Sequence, residues 1–179
     1  MPTNNLLYSI LCFCLNLDPE SDEAAGLIIP AYQEPEVAAR PARERNVIYF
    51  SCDPVPGADL YDSMDVVVGN AGKRPRVTTL MTYRLVVVCY GPDALENALA
   101  IRAFLFLDGN GMPMSMLRKA GFYPVLEPGA PVVGREPEGL LWRKRADVGV
   151  VLRKMEEQTY PDNQAMITHP GEPRIYVQY

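Results

Sequence analysis

The reactive side chains of this chain are four cysteines, Cys12, Cys14, Cys52 and Cys89, and one histidine, His169. Thiolate and imidazole together make either a nucleophile with its base or part of a zinc site. Zinc needs four donors held close together. Here Cys12 and Cys14 lie inside an apolar helical pattern, no C-x-x-C pair occurs, and His169 sits far along the chain in a Pro/Gly-flanked loop. Ser51-Cys52-Asp53 places a nucleophile beside a carboxylate, but only His169 could serve it as base. Buried free thiols in a reducing compartment are the simpler reading. The acids Asp18/Glu20, Asp22/Glu23 and Glu156/Glu157 fall in hydrophilic stretches that read as solvated faces. With no G-x-S-x-G, H-E-x-x-H or G-x-x-x-x-G-K-[ST] motif, the expectation is a protein that is not an enzyme, with no catalytic residue, metal or cofactor.

Phosphate binding is the next chemistry to test. The segment YGPDALEN, from Tyr90, joins a strand-like pattern to a helix-like one, and such junctions can cradle phosphates at a helix N-terminus. Its single glycine gives no G-x-G-x-x-G, and Asp93 and Glu96 would repel an anion. A structural turn is the reading. Asp108-Gly109-Asn110-Gly111 lacks the spaced acids and terminal glutamate of a calcium loop and reads as a helix stop.

Basic residues remain. Arg143, Lys144, Arg145 and Arg153, with Asp147 as an ion-pair partner, lie on a strand-like segment whose charges face either plain solvent or a subunit interface or channel wall. Arg43, Arg45, Lys73, Arg74 and Arg76 lie in loop-like segments that could reach neighbours as well. The interface candidates are therefore Arg43, Arg45, Lys73, Arg74, Arg76, Arg143, Arg145, Asp147 and Arg153.

The elements that must position these residues centre on Thr78 to Leu107. Val77, Thr79, Met81, Tyr83, Leu85, Val87 and Cys89 share one parity and make an apolar strand face. The opposite face starts polar and turns apolar at Val86 and Val88, which predicts cover on both sides over the later half. Gly91 breaks the strand, Pro92 suits the first helical turn, and Ala94, Leu95, Ala98, Ile101, Leu105 and Phe106 recur at helical spacing as far as Leu107. Leu141 to Leu152 is a second long strand, with Trp142, Ala146, Val148, Val150 and Leu152 on the core face, interrupted by Lys144, and Arg143, Arg145, Asp147, Gly149, Val151 and Arg153 on the other.

Around them, Thr3 caps a first helix carrying Leu6, Leu7, Ile10, Leu11, Phe13, Cys14 and Leu17. Asp18 to Glu23 reads as a solvated connection, and Leu27 to Ile29 as a short strand that Pro30 confines to an edge. Glu34 to Arg45 reads as a loop-like arm, within a loop region of about 33–45. Val47 to Phe50 is a compact strand. Met64 to Val68 and the strand from Val77 read as an antiparallel hairpin around Gly69 to Pro75. Ser115 to Ala120 is one helical turn, Phe122 to Gly139 a Pro-rich surface run, and Arg174 to Tyr179 a short terminal strand.

With 179 residues, 48% of them hydrophobic, the chain suits one compact domain, 1–179, of α+β or α/β class, with two long strands and long Pro-rich loops. A net charge of −5 opposes nonspecific nucleic-acid binding by the whole molecule. No membrane span and no secretory leader are expected.

The run Tyr83 through VVVCYGPDALENALAIRAFLF, then Gly121-Phe122-Tyr123-Pro124-Val125, Leu126-Glu127-Pro128 and LLWRKRADVGVVL, resembles the tail-terminator or neck-terminator proteins of tailed bacteriophages, over residues 75 to 155. The segment 158–179 lies outside the match. The resemblance implies an α+β subunit with helices packed on one face of a mainly antiparallel sheet, and a homo-oligomeric ring, commonly a hexamer, that caps the tail tube and meets the head connector or stopper. It implies a virion location after assembly in the bacterial cytoplasm, with DNA passing through the lumen. A small nucleic-acid-binding module using the basic strand 143–153, or a small enzyme with an unrecognised site, are the other readings.

Overall fold

The computed structural model describes residues 4–31, 44–55, 65–67, 76–107, 111–125, 129–138 and 141–159. Thr3, residues 32–43 of the arm, the Gly69 to Pro75 loop, residues 108–110 of the helix stop, the Leu126-Glu127-Pro128 segment, His169 and the expected terminal strand lie outside the described residues.

The fold is α+β. β4 (Arg76–Tyr90) and β7 (Leu141–Thr159) pair antiparallel from Arg76↔Thr159 to Tyr90↔Arg145, and this two-stranded spine carries the rest of the sheet. Their runs of Val, Leu, Thr and Tyr are residues that pack well on a pleated surface. β2 (Val47–Pro54) pairs antiparallel with β4, and β1 (Ile28–Pro30) runs parallel to β2 at the edge, where Pro30 was expected. β3 (Asp65–Val67) forms the expected antiparallel pairing with β4. β5 (Phe122–Pro124) and β6 (Val132–Glu138) both pair antiparallel with β7.

Those last two strands correct the expectation of a surface run from Phe122 to Gly139. β6 lies at the sheet margin, where Pro137 is tolerated. It returns into β7 with Glu138 opposite Leu141, so only residues 139 and 140 separate the strands. β7 also runs to Thr159 rather than stopping at Leu152, because its late charges find partners: Tyr83 Oη donates to Glu156 at 2.8 Å, and Lys154 Nζ sits 5.1 Å from the Phe122 ring.

Helices cover one face. α1 (Asn4–Cys14), α2 (Asp22–Leu27), α3 (Ala94–Arg102) and α4 (Met112–Lys119) bury side chains into one cluster with Ile48, Phe50, Leu85, Val87, Cys89, Val148, Val150 and Leu152. Burying each such side chain contributes about 1.5–3 kcal/mol. α2 stands where a solvated connection was expected: Ser21 Oγ accepts from Ala24 N at 3.1 Å, and Asp22 and Glu23 occupy the first turn, where the dipole favours acids. α4 is longer than one turn because Pro113 starts it and Arg118 and Lys119 complement its end.

At the junction after β4, Pro92 precedes the helix instead of opening it. Asp93 is the N-cap residue, clamped by Asn46: Asn46 Nδ2 donates to Asp93 Oδ2 at 2.7 Å, and Asp93 N donates to Asn46 Oδ1 at 3.1 Å. A π-helical turn, Ala103–Leu107, ends the helix and places Leu105 and Phe106 in the core. Leu95, expected on the core face, points outward, because Ala94, Ala98 and Ile101 form the buried row. Phe13 and Trp142, also expected inside, are exposed as well.

Among the described residues, no helix packs on the opposite sheet face. Val86, Val88 and Tyr90 are only half-buried, so the expected cover over the later half of β4 is partial.

Candidate functional site

Register explains the site. Tyr90 pairs with Arg145 across β4 and β7, Arg145 pairs with Gly134 across β7 and β6, and Glu136 pairs with Arg143, so these residues share the open face. Tyr49 on β2 meets Tyr90 edge-on, with ring centroids 6.0 Å apart.

Arg145 grips Asp147 bidentately, Nε to Oδ1 at 2.8 Å and Nη2 to Oδ2 at 2.9 Å, and reaches Glu136 Oε2 through Nη1 at 3.1 Å. Tyr90 Oη donates to the same Glu136 oxygen. The guanidinium carbons of Arg143 and Arg145 lie 5.1 Å and 5.6 Å from the Tyr90 ring centroid, within cation–π range. Arg143 is buried, which corrects its expected place on a face open to water or a partner. Its Nη2 donates to Arg45 O at 3.0 Å, while its buried Nε finds no acceptor among the described residues.

Electrostatics follow from this packing. Burial, reinforced by the hydrogen bond to Glu136, pushes the Tyr90 hydroxyl up to about 12. The hydrogen bond to Asp147 holds Arg145 more firmly protonated than usual. The Arg145 pairs are partly exposed and contribute about 0–1 kcal/mol each, so they fix register and the seating of β6 more than stability.

The tyrosine shift has a measurable sign. Because the folded value is raised, its contribution is complete below the ordinary value of 10.0 and is lost as pH rises through about 12. In an ultraviolet difference titration, wild type minus Tyr90→Phe should show one tyrosine ionising near 12; one ionising near 10.0 would contradict the packed site. At the other end of the spine the sign reverses. The hydrogen bond from Tyr83 holds the Glu156 carboxyl below its ordinary value, so its contribution is present above 4.5 and fades as pH falls through the lower folded value. Glu156→Gln should flatten the acid limb of the stability curve followed by urea unfolding.

Of the nine interface candidates, the structure gathers Arg143, Arg145, Asp147 and the Arg45 carbonyl around Tyr90. Arg153 lies apart, exposed further along β7, and Arg76 is at the far end of β4. Arg43, Lys73 and Arg74 lie outside the described residues. Tyr90, Glu136 and Asn46 were not singled out. Their only signal was parity for Tyr90, and the register joining it to Arg145 is tertiary. Arg84 was also missed; it is exposed on the open face and, like Arg153, makes no ion pair among the described residues shown.

The thiols are unlike nucleophiles. Burial, then the Asp53 charge, raises Cys52 to about 11, and burial raises Cys14 and Cys89 to about 12, the opposite of activation. A thiol-reagent titration should find almost no reaction in the folded protein at neutral pH and all four groups after denaturation. Fast native labelling of Cys52 would contradict this environment. Among the described residues, no group of three His, Cys, Asp or Glu side chains converges as a metal site, and no helix is long and apolar enough to cross a membrane.

Neither a scan against protein-family models nor a search of curated proteins finds a match to this chain.

Proposed function

We propose that this chain is a ring-forming structural subunit of a tailed-bacteriophage virion, a tail or neck terminator that caps the tail tube and joins it to the head connector. The observation that carries the reading is the one-sided domain: a long β4–β7 spine has helices on one face, and on the other Val86, Val88 and Val151 are bordered by Arg84 and Arg153. A two-layer subunit with unlike faces suits head-to-tail packing around an axis, which needs two different complementary patches. The resemblance over residues 75 to 155 supplies the biological setting. In that setting the protein assembles in the bacterial cytoplasm and remains in the virion, its ring leaving a lumen for DNA.

The nucleic-acid reading draws less support, because Arg143 and Arg145 already serve intramolecular partners, leaving Arg84 and Arg153 as the exposed cations at the centre of the open face. Phosphate neutralisation by several such groups would show as steep salt dependence.

The test uses purified tail tubes imaged by electron microscopy with and without the protein. The expected result is a density at one tube end and arrest of elongation. Tubes that grow unchanged, with bare ends, would overturn the proposal.

A further inference from the structure

Two arginines on the open sheet face have no counter-ion. Register puts Arg84 opposite Val151 and Arg153 opposite Thr82, so they are diagonal neighbours across β4 and β7. Both are exposed, and among the described residues neither makes an ion pair or hydrogen bond. Asp53 stands opposite Arg84 on β2, but it is half-buried and does not pair with it. Cations held side by side on a sheet repel until an anion joins them, and guanidinium forks suit carboxylates. The surface around them is apolar: Tyr123, opposite Arg153 on β5, is 56% exposed, and Met155 is 64% exposed. Gly149 keeps the neighbouring floor flat, since an added Cβ there would meet nothing within 4 Å. Arginine and tyrosine on such a surface are the residues that anchor interfaces.

The opposite charge lies on the other side of the same chain. Its first 39 residues hold no Lys, Arg or His. At the α1–α2 corner Asp18, Glu20, Asp22 and Glu23 are all exposed, and none forms an ion pair among the described residues. Asp18 accepts from Glu20 N at 3.0 Å, and the Arg45 guanidinium lies against Gly26, one turn beyond Glu23. Glu20 and Asp22 are therefore the carboxylates with no local cation or donor. Phe13, in the last turn of α1, is 43% exposed and gives the corner an apolar contact of its own. α1 and α2 pack over β1 and β2 on the core face, whereas Arg84 and Arg153 leave the opposite face at the centre of the sheet. The sheet separates the two patches, so one copy cannot join them.

We infer that the Arg84–Arg153 face of one copy receives the α1–α2 corner of a second copy of this chain. Glu20 and Asp22 neutralise the two arginines, and Phe13 lies on the apolar surface beside them. The contact is heterologous: each subunit offers one face and one corner, so association continues until a ring closes. The charges select partner and orientation, while Tyr123 and the arginine stems supply most of the affinity. This assignment rests on the ring-forming reading only in requiring self-association, and it names the two unlike patches that such a ring needs.

The experiment is sedimentation of the full chain as wild type and as two charge-reversed doubles, with circular dichroism confirming the fold of each. Arg84→Glu with Arg153→Glu reverses the face, and Glu20→Arg with Asp22→Arg reverses the corner. Each double should associate about 30-fold more weakly or worse, because like charges then meet. Mixed together they should recover association, since the reversed face of one fits the reversed corner of the other and their unchanged patches still match. Loss of a merely structural contact would not be repaired by mixing. The shape-preserving pair Glu20→Gln with Asp22→Asn should weaken association by about 10-fold without disturbing α2, and rising salt should weaken the wild type. The assignment is overturned if the reversed or neutralised variants assemble like wild type, or if the mixture associates no better than either variant alone. It is overturned as well if the wild type remains monomeric at about 1 mM, where contacts worth about 4 kcal/mol become half-occupied. Wild type that assembles through these patches yet ignores tail tubes would keep the interface and remove the terminator reading. Tube capping by reversed variants that assemble normally would do the opposite.

Discussion

Gly91→Ala should lower folding stability by about 3 kcal/mol, read as a reduced urea midpoint with unchanged slope. Gly91 has φ +112°, a region that side-chain-bearing residues rarely adopt. An added Cβ would also lie 2.8 Å from Asn46 Cα and 2.9 Å from Arg45 O, both main-chain atoms that cannot turn aside. Relief would require moving the segment that leads into β2 or the start of α3, and either movement breaks the Asn46–Asp93 clamp. It would also disturb the bond from Gly91 N to Lys144 O, at 3.2 Å, which ties the turn to β7. Gly149→Ala is the control: an added Cβ there meets nothing within 4 Å, and stability should change by no more than about 0.5 kcal/mol. A Gly91→Ala protein as stable as wild type would contradict the packing of the turn.

Phe122→Ala should cost about 3–5 kcal/mol. Phe122 is buried on β5, with its ring edge-on to Tyr83 at 5.6 Å and Lys154 Nζ 5.1 Å from its centroid. β5 pairs with β7 over only three residues, so this ring, more than the ladder, anchors the strand. Truncation would leave a cavity beside Tyr83 and loosen the hydrogen bond that Tyr83 gives Glu156. Urea unfolding measures the loss, and hydrogen exchange at Phe122, Tyr123 and Val125, in and just after β5, should speed up before that of β7. A loss below about 1 kcal/mol would show that the site collapses without consequence.

The parts of the fold that were legible in the sequence are those with a local signal. Alternation from Tyr83 to Cys89 and from Ala146 to Leu152 matches the buried faces of β4 and β7, and Pro30 at the edge follows from its missing donor. Those periods left α+β and α/β both open, and the α+β class with helices on one face was what the resemblance implied. What was illegible depends on partners. Arg143 looks like a surface cation until Tyr90 and the Arg45 carbonyl arrive from two other segments. Glu136 sits in a Pro-rich run whose composition hides a strand, and only pairing with β7 reveals it. Trp142 shares parity with core residues but lies past the end of β4 and is exposed, so alternation alone placed it inside. Ser21 was the exception: its capping role was present locally, in a serine followed by two acids, and the acidity concealed it.

Ring formation is tested most directly by native mass spectrometry of the purified chain, alone and after incubation with tail-tube protein. The predicted result is a single closed oligomer, a hexamer on the resemblance, in solution or retained on the tube. A protein that stays monomeric in both conditions and does not bind the tube would contradict it.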